Sequence, residues 1–481
     1  MKKHYEVIIV GAGISGTALS YELARYTDIK SVAIFEKHHD IAVLNSSAKG
    51  NSQTIHVGDI ETNYTLEKAK ITKKTAKMVE KYCLQYNYEN EIIFSHQKLA
   101  LGVGDRESEF MLERYEEFSE LFPYLHIYDK EKLKEIEPKL VFDENGDERP
   151  ENIIAIGAKD QWTTVNYGKM AKSFVENAKK ESGKDIDIFV NTEVIKIEKK
   201  DGTNWLTIKD GTKVSADFVV VNAGAHSLLL AHKMGYGLDY STLPMAGSFY
   251  ITNKEILNGK VYMVQNPKLP FAALHGDPDI LANGFTRFGP TALVLPKLER
   301  YQKGTYLDFF KTLRFDRKIL KIFKDLLKDR DIRKYIFRNF LFEIPFINKK
   351  LFLKDARKIV PSLQLEDIEY AKGFGGVRPQ ILNKREQKLM LGEASIDTGE
   401  GIIFNMTPSP GATSCLGNGL RDLKIITEYL NKNFDSEKFD NELLEPEYCV
   451  LKEPIEREKM FASRLRKEMH LHELSYYQVV S

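Results

Sequence analysis

The spacing of apolar and polar positions changes character several times along the chain. Tyr5 to Val10 is a short β-branched apolar run with almost no alternation, which predicts a parallel strand covered on both faces. It runs into Gly11-Ala12-Gly13-Ile14-Ser15-Gly16. Ile14, Ala18, Leu19 and Leu23 then recur at helical spacing, and Ser31 to Phe35 forms a second apolar run ending in Glu36. The pattern predicts a complete βαβ unit. Ile186 to Ile197 and Trp205 to Ile208 read as strands, with Asp201-Gly202 and Asp210-Gly211 as hairpin turns. They lead to a buried strand over 216–225 that ends in small residues. From about Gly304 to Lys358, Lys and Arg outnumber acids and are interleaved with apolar residues at near-helical spacing, such as Phe309, Phe310, Leu313, Ile319, Leu320, Ile322, Phe323, Leu326 and Leu327. Two readings stand for these amphipathic helices: solvated basic faces over a packed side, or a membrane-surface platform. Cys415 to Tyr429 and Pro454 to Leu474 are predicted as further helices, since proline is tolerated in a first turn.

At 481 residues the chain exceeds what one core usually serves, so two intertwined domains are expected. Its 42% hydrophobic and 29% charged residues are the balance of a globular protein, not of a disordered one. Lys+Arg 70 against Asp+Glu 69 leaves a net charge of +1, so no global field selects nucleic acid or anionic lipid. Cys83, Cys415 and Cys449 form no CxxC pair or metal-ligand cluster, so no metal is expected, and a reducing cytosol fits best. The start, Met1-Lys2-Lys3-His4-Tyr5, does not read as a signal peptide, and no apolar run approaches the length of a spanning helix.

The glycine turn carries the first chemistry. Gly11 permits a tight turn, Gly13 admits the backbone to a pyrophosphate, and Gly16 lets the helix pack closely on the strand. The helix start offers unpaired N–H groups to a diphosphate, and Glu36, about twenty residues on, accepts from a ribose hydroxyl. The ADP half of a dinucleotide with an unphosphorylated ribose is the expected ligand.

Further motifs carry a resemblance. They are Ser46-Ser47-Ala48-Lys49-Gly50-Asn51-Ser52-Gln53-Thr54-Ile55-His56, the 266–277 segment with Lys268 and Pro270-Phe271, Gly376-Val377-Arg378-Pro379-Gln380, and Asn405-Met406-Thr407-Pro408-Ser409-Pro410-Gly411-Ala412-Thr413-Ser414. With the nucleotide unit, they are similar to the glycine oxidase and D-amino-acid oxidase superfamily. More narrowly, the chain resembles the compact bacterial form of malate:quinone oxidoreductases over roughly residues 4 to 435. Parts of the pattern also resemble L-2-hydroxyglutarate oxidases.

The resemblance implies an α/β fold in which a Rossmann-like FAD-binding domain (1–75, 150–226 and 370–435) is interleaved with a mixed-sheet α+β substrate domain (76–149 and 227–369). A C-terminal tail (436–481) is left over. It also implies non-covalent FAD held by Gly11, Gly13, Ile14, Ser15, Gly16, Glu36, Lys37, Ser47, Asn51, Ser52, Val194, Ala223, Gly224, Arg378, Gly411, Ala412 and Thr413. The expected reaction is oxidation of L-malate, a 2-hydroxy dicarboxylate, by hydride transfer to flavin N5. Electrons would pass to a membrane quinone, and the protein would sit peripherally on the inner face of the cell membrane.

Such chemistry needs a base and carboxylate clamps. His275 is the first candidate base and His56 the second, because an imidazole titrates near working pH. Arg378 is the preferred clamp, since a guanidinium fork binds a carboxylate in a bidentate manner. Arg287 is a second cation for the distal carboxylate, and Lys268 a weaker one. The alternative for either arginine is a pair with an internal acid, and it weighs more for Arg287 than for Arg378. At Gly411-Ala412, N–H groups at a helix start would stabilise negative charge at flavin N1 and O2, though a plain Ser or Thr cap explains the same sequence. The principal alternative is oxidation of L-2-hydroxyglutarate, because one methylene is worth only about 1–3 kcal/mol in a pocket. A flavin-bound nucleic-acid-associated protein using the 304–358 stretch is disfavoured by the net charge.

Overall fold

The computed structural model describes residues 1–265, 273–282, 284–342, 344, 347–390, 392–408, 410–444 and 452–469. Lys268, the Pro270-Phe271-Ala272 run, Ser409, Cys449 and Leu474 lie outside the described residues.

The first apolar run is the strand His4–Val10, and it lies at the centre of a sheet. Ser31–Phe35 pairs parallel on one side and Lys213–Val221 on the other. Asp185–Phe189 and Ile402–Met406 extend the parallel core outward, and Ala394–Asp397 closes one edge antiparallel. The 186–197 stretch is two strands rather than one, because Asn191 takes a left-handed conformation with φ 52 and breaks the run. Its second half, Val194–Lys200, turns through Asp201-Gly202 to pair with Thr203–Ile208 as a hairpin. Trp205 and its neighbours then join Lys213–Val221 through the Asp210-Gly211 turn.

A second sheet of mixed direction carries Ile368–Tyr370, Tyr250–Thr252, Thr286–Gly289, His275–Pro278, Lys260–Met263, Lys98–Val103, Ile153–Ala158 and His126–Tyr128, in that order. Ile153–Ala158, which lies in the sequence stretch expected in the nucleotide unit, pairs here with Lys98–Val103. Every residue of this strand is buried, a pattern that announces a central strand without naming its neighbours. A smaller sheet pairs Tyr240–Ala246 with Val377–Asn383 and so delivers Arg378 opposite Met245.

The basic stretch is four helices, Tyr306–Leu313, Arg317–Lys328, Arg330–Leu341 and Asn348–Ala356. Phe309, Leu313, Ile319 and Ile322 are buried, so these helices have a packed side. Leu307, Phe310, Phe315, Leu320, Leu327, Phe337 and Phe340 remain exposed among Lys and Arg. No helix among the described residues is long and apolar enough to cross a membrane. In the tail, Lys452–Glu468 is a helix that lies on Asp105–Phe118. Arg466 bonds Glu109 at 2.5 Å and Glu116 at 2.6 Å, and Ala462 and Leu465 are buried.

The helix Ile14–Tyr26 is buried on nearly every side, between Tyr167–Lys180 and Cys415–Leu430. Its Glu22 has no hydrogen-bond partner among the described residues and lies against Gly419, where an added Cβ would stand 1.9 Å from Oε2. Burial, reinforced by Asp422, pushes the Glu22 carboxyl well above its ordinary range. The folded protein therefore holds it neutral while the unfolded chain ionises it above a pH of about 4.3. That contribution to stability is present at low pH and lost as pH rises, at up to about 1.4 kcal/mol per pH unit. Glu22→Gln is expected to flatten the fall of the thermal melting temperature as pH rises above about 4.3; parallel curves for the two proteins would refute a neutral Glu22.

Candidate functional site

The glycine turn and the ends of the central strands form one wall of a cavity of about 400 Å³, within the range of small-molecule sites. Gly11 takes φ +109, and a Cβ there would meet the Asn222 carbonyl oxygen at 2.4 Å. A Cβ on Gly16 would stand 2.0 Å from the Gly11 carbonyl oxygen. Both positions therefore admit only glycine. Gly13 lies beside Ser46, whose hydroxyl accepts from the Ile14 N–H at 2.9 Å. Glu36 ends the neighbouring strand, nearly buried, and accepts from the Ala12 N–H at 2.8 Å and the His38 N–H at 2.9 Å. Each carboxylate oxygen retains a second lone pair.

Gly11, Gly13, Ile14, Ser15, Glu36, Lys37, Ser47, Asn51, Ser52, Val194, Ala223, Gly224, Arg378, Gly411, Ala412, Thr413 and His56 all line this one cavity. Gly16 does not; it packs helix on strand. Asn51 shapes the 44–53 loop, donating to the Asn45 and Ser47 carbonyls at 2.9 and 2.8 Å. The cradle of small residues, a turn that excludes Cβ atoms and an acid beside the first helical turn fit an ADP-bearing cofactor.

At the other end, the helix Cys415–Leu430 starts without a side-chain cap. The Ser414 hydroxyl instead donates to Glu393 at 2.7 Å. Gly411 gives its N–H to the Pro408 carbonyl at 2.8 Å. Thr413 Oγ1 accepts from the His56 N–H at 3.1 Å and meets Tyr167 Oη at 3.0 Å, so the 46–56 loop and the helix start are tied together.

The four candidate catalytic residues separate into two pairs. His56 and Arg378 line the cavity. Among the described residues Arg378 has no carboxylate partner, and burial lowers its pKa from the usual guanidinium value. A cation that is desolvated without an acid is a site for an anion. His275 and Arg287 are instead in the second sheet, fully buried, and are not part of the cavity lining. His275 stacks on Tyr262 at 4.3 Å and meets Asp277 at 2.5 Å, while Arg287 meets Asp279 at 3.2 Å. Burial lowers the His275 pKa against the opposing pull of Asp277.

Several residues of the site escaped the sequence reading. Ser46 lay inside a recognised motif. Glu299, beside Lys37 and His38 in the cavity wall, accepts a contact from each, and together with His226 they outweigh burial and hold its carboxyl down to about 2. Glu61 accepts from His56 Nδ1 at 2.7 Å.

The sequence as a whole is matched by known proteins. The family profile described as Malate:quinone oxidoreductase (Mqo) matches residues 3–470. A "Probable malate:quinone oxidoreductase" of Campylobacter jejuni is 58% identical, covering 92% of this chain and 100% of that protein. A "Malate:quinone oxidoreductase" of Helicobacter pylori is 51% identical over 92% of this chain and 98% of its own length. Among solved structures, glycine oxidase from Geobacillus kaustophilus shares the fold with a TM-score of 0.60 at 17% identity, covering 93% of this chain and 100% of that one. The sheet order, the glycine turn and the match along nearly the whole sequence agree: the chain belongs to the malate:quinone oxidoreductase family.

Proposed function

We propose that this protein oxidises L-malate to oxaloacetate with a non-covalently held FAD and delivers the electrons to a membrane quinone. The observation that carries the reading is Arg378, a desolvated cation with no acid among the described residues, in the same cavity as His56. A carboxylate of the substrate pairs with the Arg378 guanidinium, which fixes the 2-hydroxyl toward His56. His56 takes the hydroxyl proton as the C2 hydrogen leaves with its electron pair. Bound flavin supplies the acceptor of that hydride at N5. The cavity geometry favours His56 over His275 as the base, because His275 is covered by Tyr262 and engaged by Asp277.

Quinone is a lipid, so the protein has to meet a membrane. Exposed Leu307, Phe310, Leu320 and Phe337 lie among basic side chains on the 306–341 helices, a composition suited to the interface of an anionic bilayer. The protein docks there reversibly, on the inner face of the cell membrane.

Three outcomes follow. Acid precipitation is expected to release the yellow chromophore as FAD, and colour retained in the pellet would refute non-covalent binding. Arg378→Met is expected to weaken malate saturation and slow anaerobic flavin reduction, at a combined cost of about 2–5 kcal/mol, with Arg378→Lys a partial rescue. The same assay with 2-hydroxyglutarate ranks the two acids; normal malate kinetics in Arg378→Met would remove the clamp. Sedimentation with anionic liposomes is expected to weaken with salt and after charge reversal at Lys318, Lys321 and Lys324. Binding indifferent to both would return these helices to packed surface.

A further inference from the structure

His56 sits at the start of a tight loop. Gly58 takes φ +100, and a Cβ there would stand 2.8 Å from the Ala69 Cα, so the loop lies directly on the helix Leu66–Gln85. Three residues on, Glu61 turns back, and it is nearly buried. Its Oε1 accepts from His56 Nδ1 at 2.7 Å and its Oε2 from the Gly58 N–H at 2.8 Å. The Glu61 carbonyl is held in turn by Arg114 Nη2 at 2.7 Å, and the Arg114 guanidinium lies 3.7 Å from the centre of the Phe118 ring. The carboxylate is thus held within its own loop, and the backbone that carries it is anchored to the helix Asp105–Phe118.

A carboxylate only accepts, so the imidazole nitrogen facing it bears the proton and Nε2 carries the lone pair. Nε2 has no protein partner among the described residues. Tyr262 meets the ring edge-on at 6.4 Å.

We infer that Glu61 is a positioning residue for the oxidation: it fixes the tautomer that leaves His56 Nε2 free to take the substrate hydroxyl proton, and its charge stabilises the imidazolium that results. The inference rests on the proposed role of His56. A carboxylate behind a histidine is worth its charge only when the ring becomes cationic, so its effect falls on the rate and not on binding. Glu61 is also faced by Lys68 and by the phenols of Tyr64, Tyr124, Tyr167 and Tyr262. Burial pushes all four phenols upward, so they stay neutral through the working range. Burial pulls Lys68 down.

The test is anaerobic reduction of the FAD-bound full chain by malate, followed over a range of malate concentrations for wild type, His56→Asn, Glu61→Gln and Glu61→Asp. Glu61→Gln is expected to lower the limiting rate roughly 10–100-fold, with malate saturation and FAD content unchanged. Glu61→Asp keeps the charge and recovers part of the rate. Independently of turnover, a downfield imidazole N–H proton resonance is expected in wild type, absent in His56→Asn and shifted upfield in Glu61→Gln.

If His56→Asn reduces at the wild-type rate, the base assignment falls and this inference with it. If His56→Asn is slow but Glu61→Gln keeps the wild-type rate, or loses only FAD or malate affinity, His56 stands and the role of Glu61 is overturned. Should Glu61→Gln not fold, Glu61→Asp decides: a reduced limiting rate at unchanged malate saturation supports the role, and a wild-type rate overturns it.

Discussion

The site depends on one close approach. The start of the helix Ile14–Tyr26 can reach the sheet only because Gly16 puts no Cβ within 2.0 Å of the Gly11 carbonyl oxygen, and Gly11 puts none within 2.4 Å of Asn222. The two contacts bring the ends of His4–Val10 and Lys213–Val221 to one level, at the carboxyl edge where open α/β sheets bind ligands. Asn222 then meets Asn405 at 3.0 Å, and Asn405 meets Asp422 at 2.5 Å. Through that chain the helix Cys415–Leu430, and with it the Thr413 tie to His56, takes its position from the glycine turn.

The cations of the molecule divide by their company. Lys98 is buried against Asp59, Lys260 lies 3.5 Å from Asp277, and Arg287 meets Asp279. Removing one member of such a buried pair typically costs about 3–5 kcal/mol, because the partner is left uncompensated. All three cations stand on strands of the second sheet. Arg378 is only partly buried, on the wall of the cavity, and has no acid among the described residues.

What could be read from the sequence follows the range of the interactions. The βαβ unit was legible because its periodicity, its glycines and Glu36 all lie within a few turns of chain. The role of each candidate cation and histidine was not, because a motif shows that His275 follows an apolar run but not that Tyr262 covers it. Arg287 and Arg378 look alike in sequence; only the fold brings Asp279 to one and leaves the other in the cavity. Glu61 left no signal, since a five-residue offset from His56 belongs to neither helical nor strand periodicity. The split of 186–197 into two strands turned on a single left-handed Asn191, a conformation that asparagine tolerates but does not announce. The tail helix was legible as a helix, but its docking through Arg466 onto Glu109 and Glu116 joins distant segments.

The order of strands in the first sheet has a consequence for synthesis. His4–Val10 finds Ser31–Phe35 almost at once, but its other neighbour, Lys213–Val221, leaves the ribosome about two hundred residues later, and Ile402–Met406 nearly as far again. At roughly 5–20 residues per second, the central strand waits tens of seconds with one edge unsatisfied. An apolar strand with a free edge is a template for pairing with another chain. The topology that assembles the cavity from distant segments thus makes the nascent polypeptide most vulnerable to self-association before the first sheet can close.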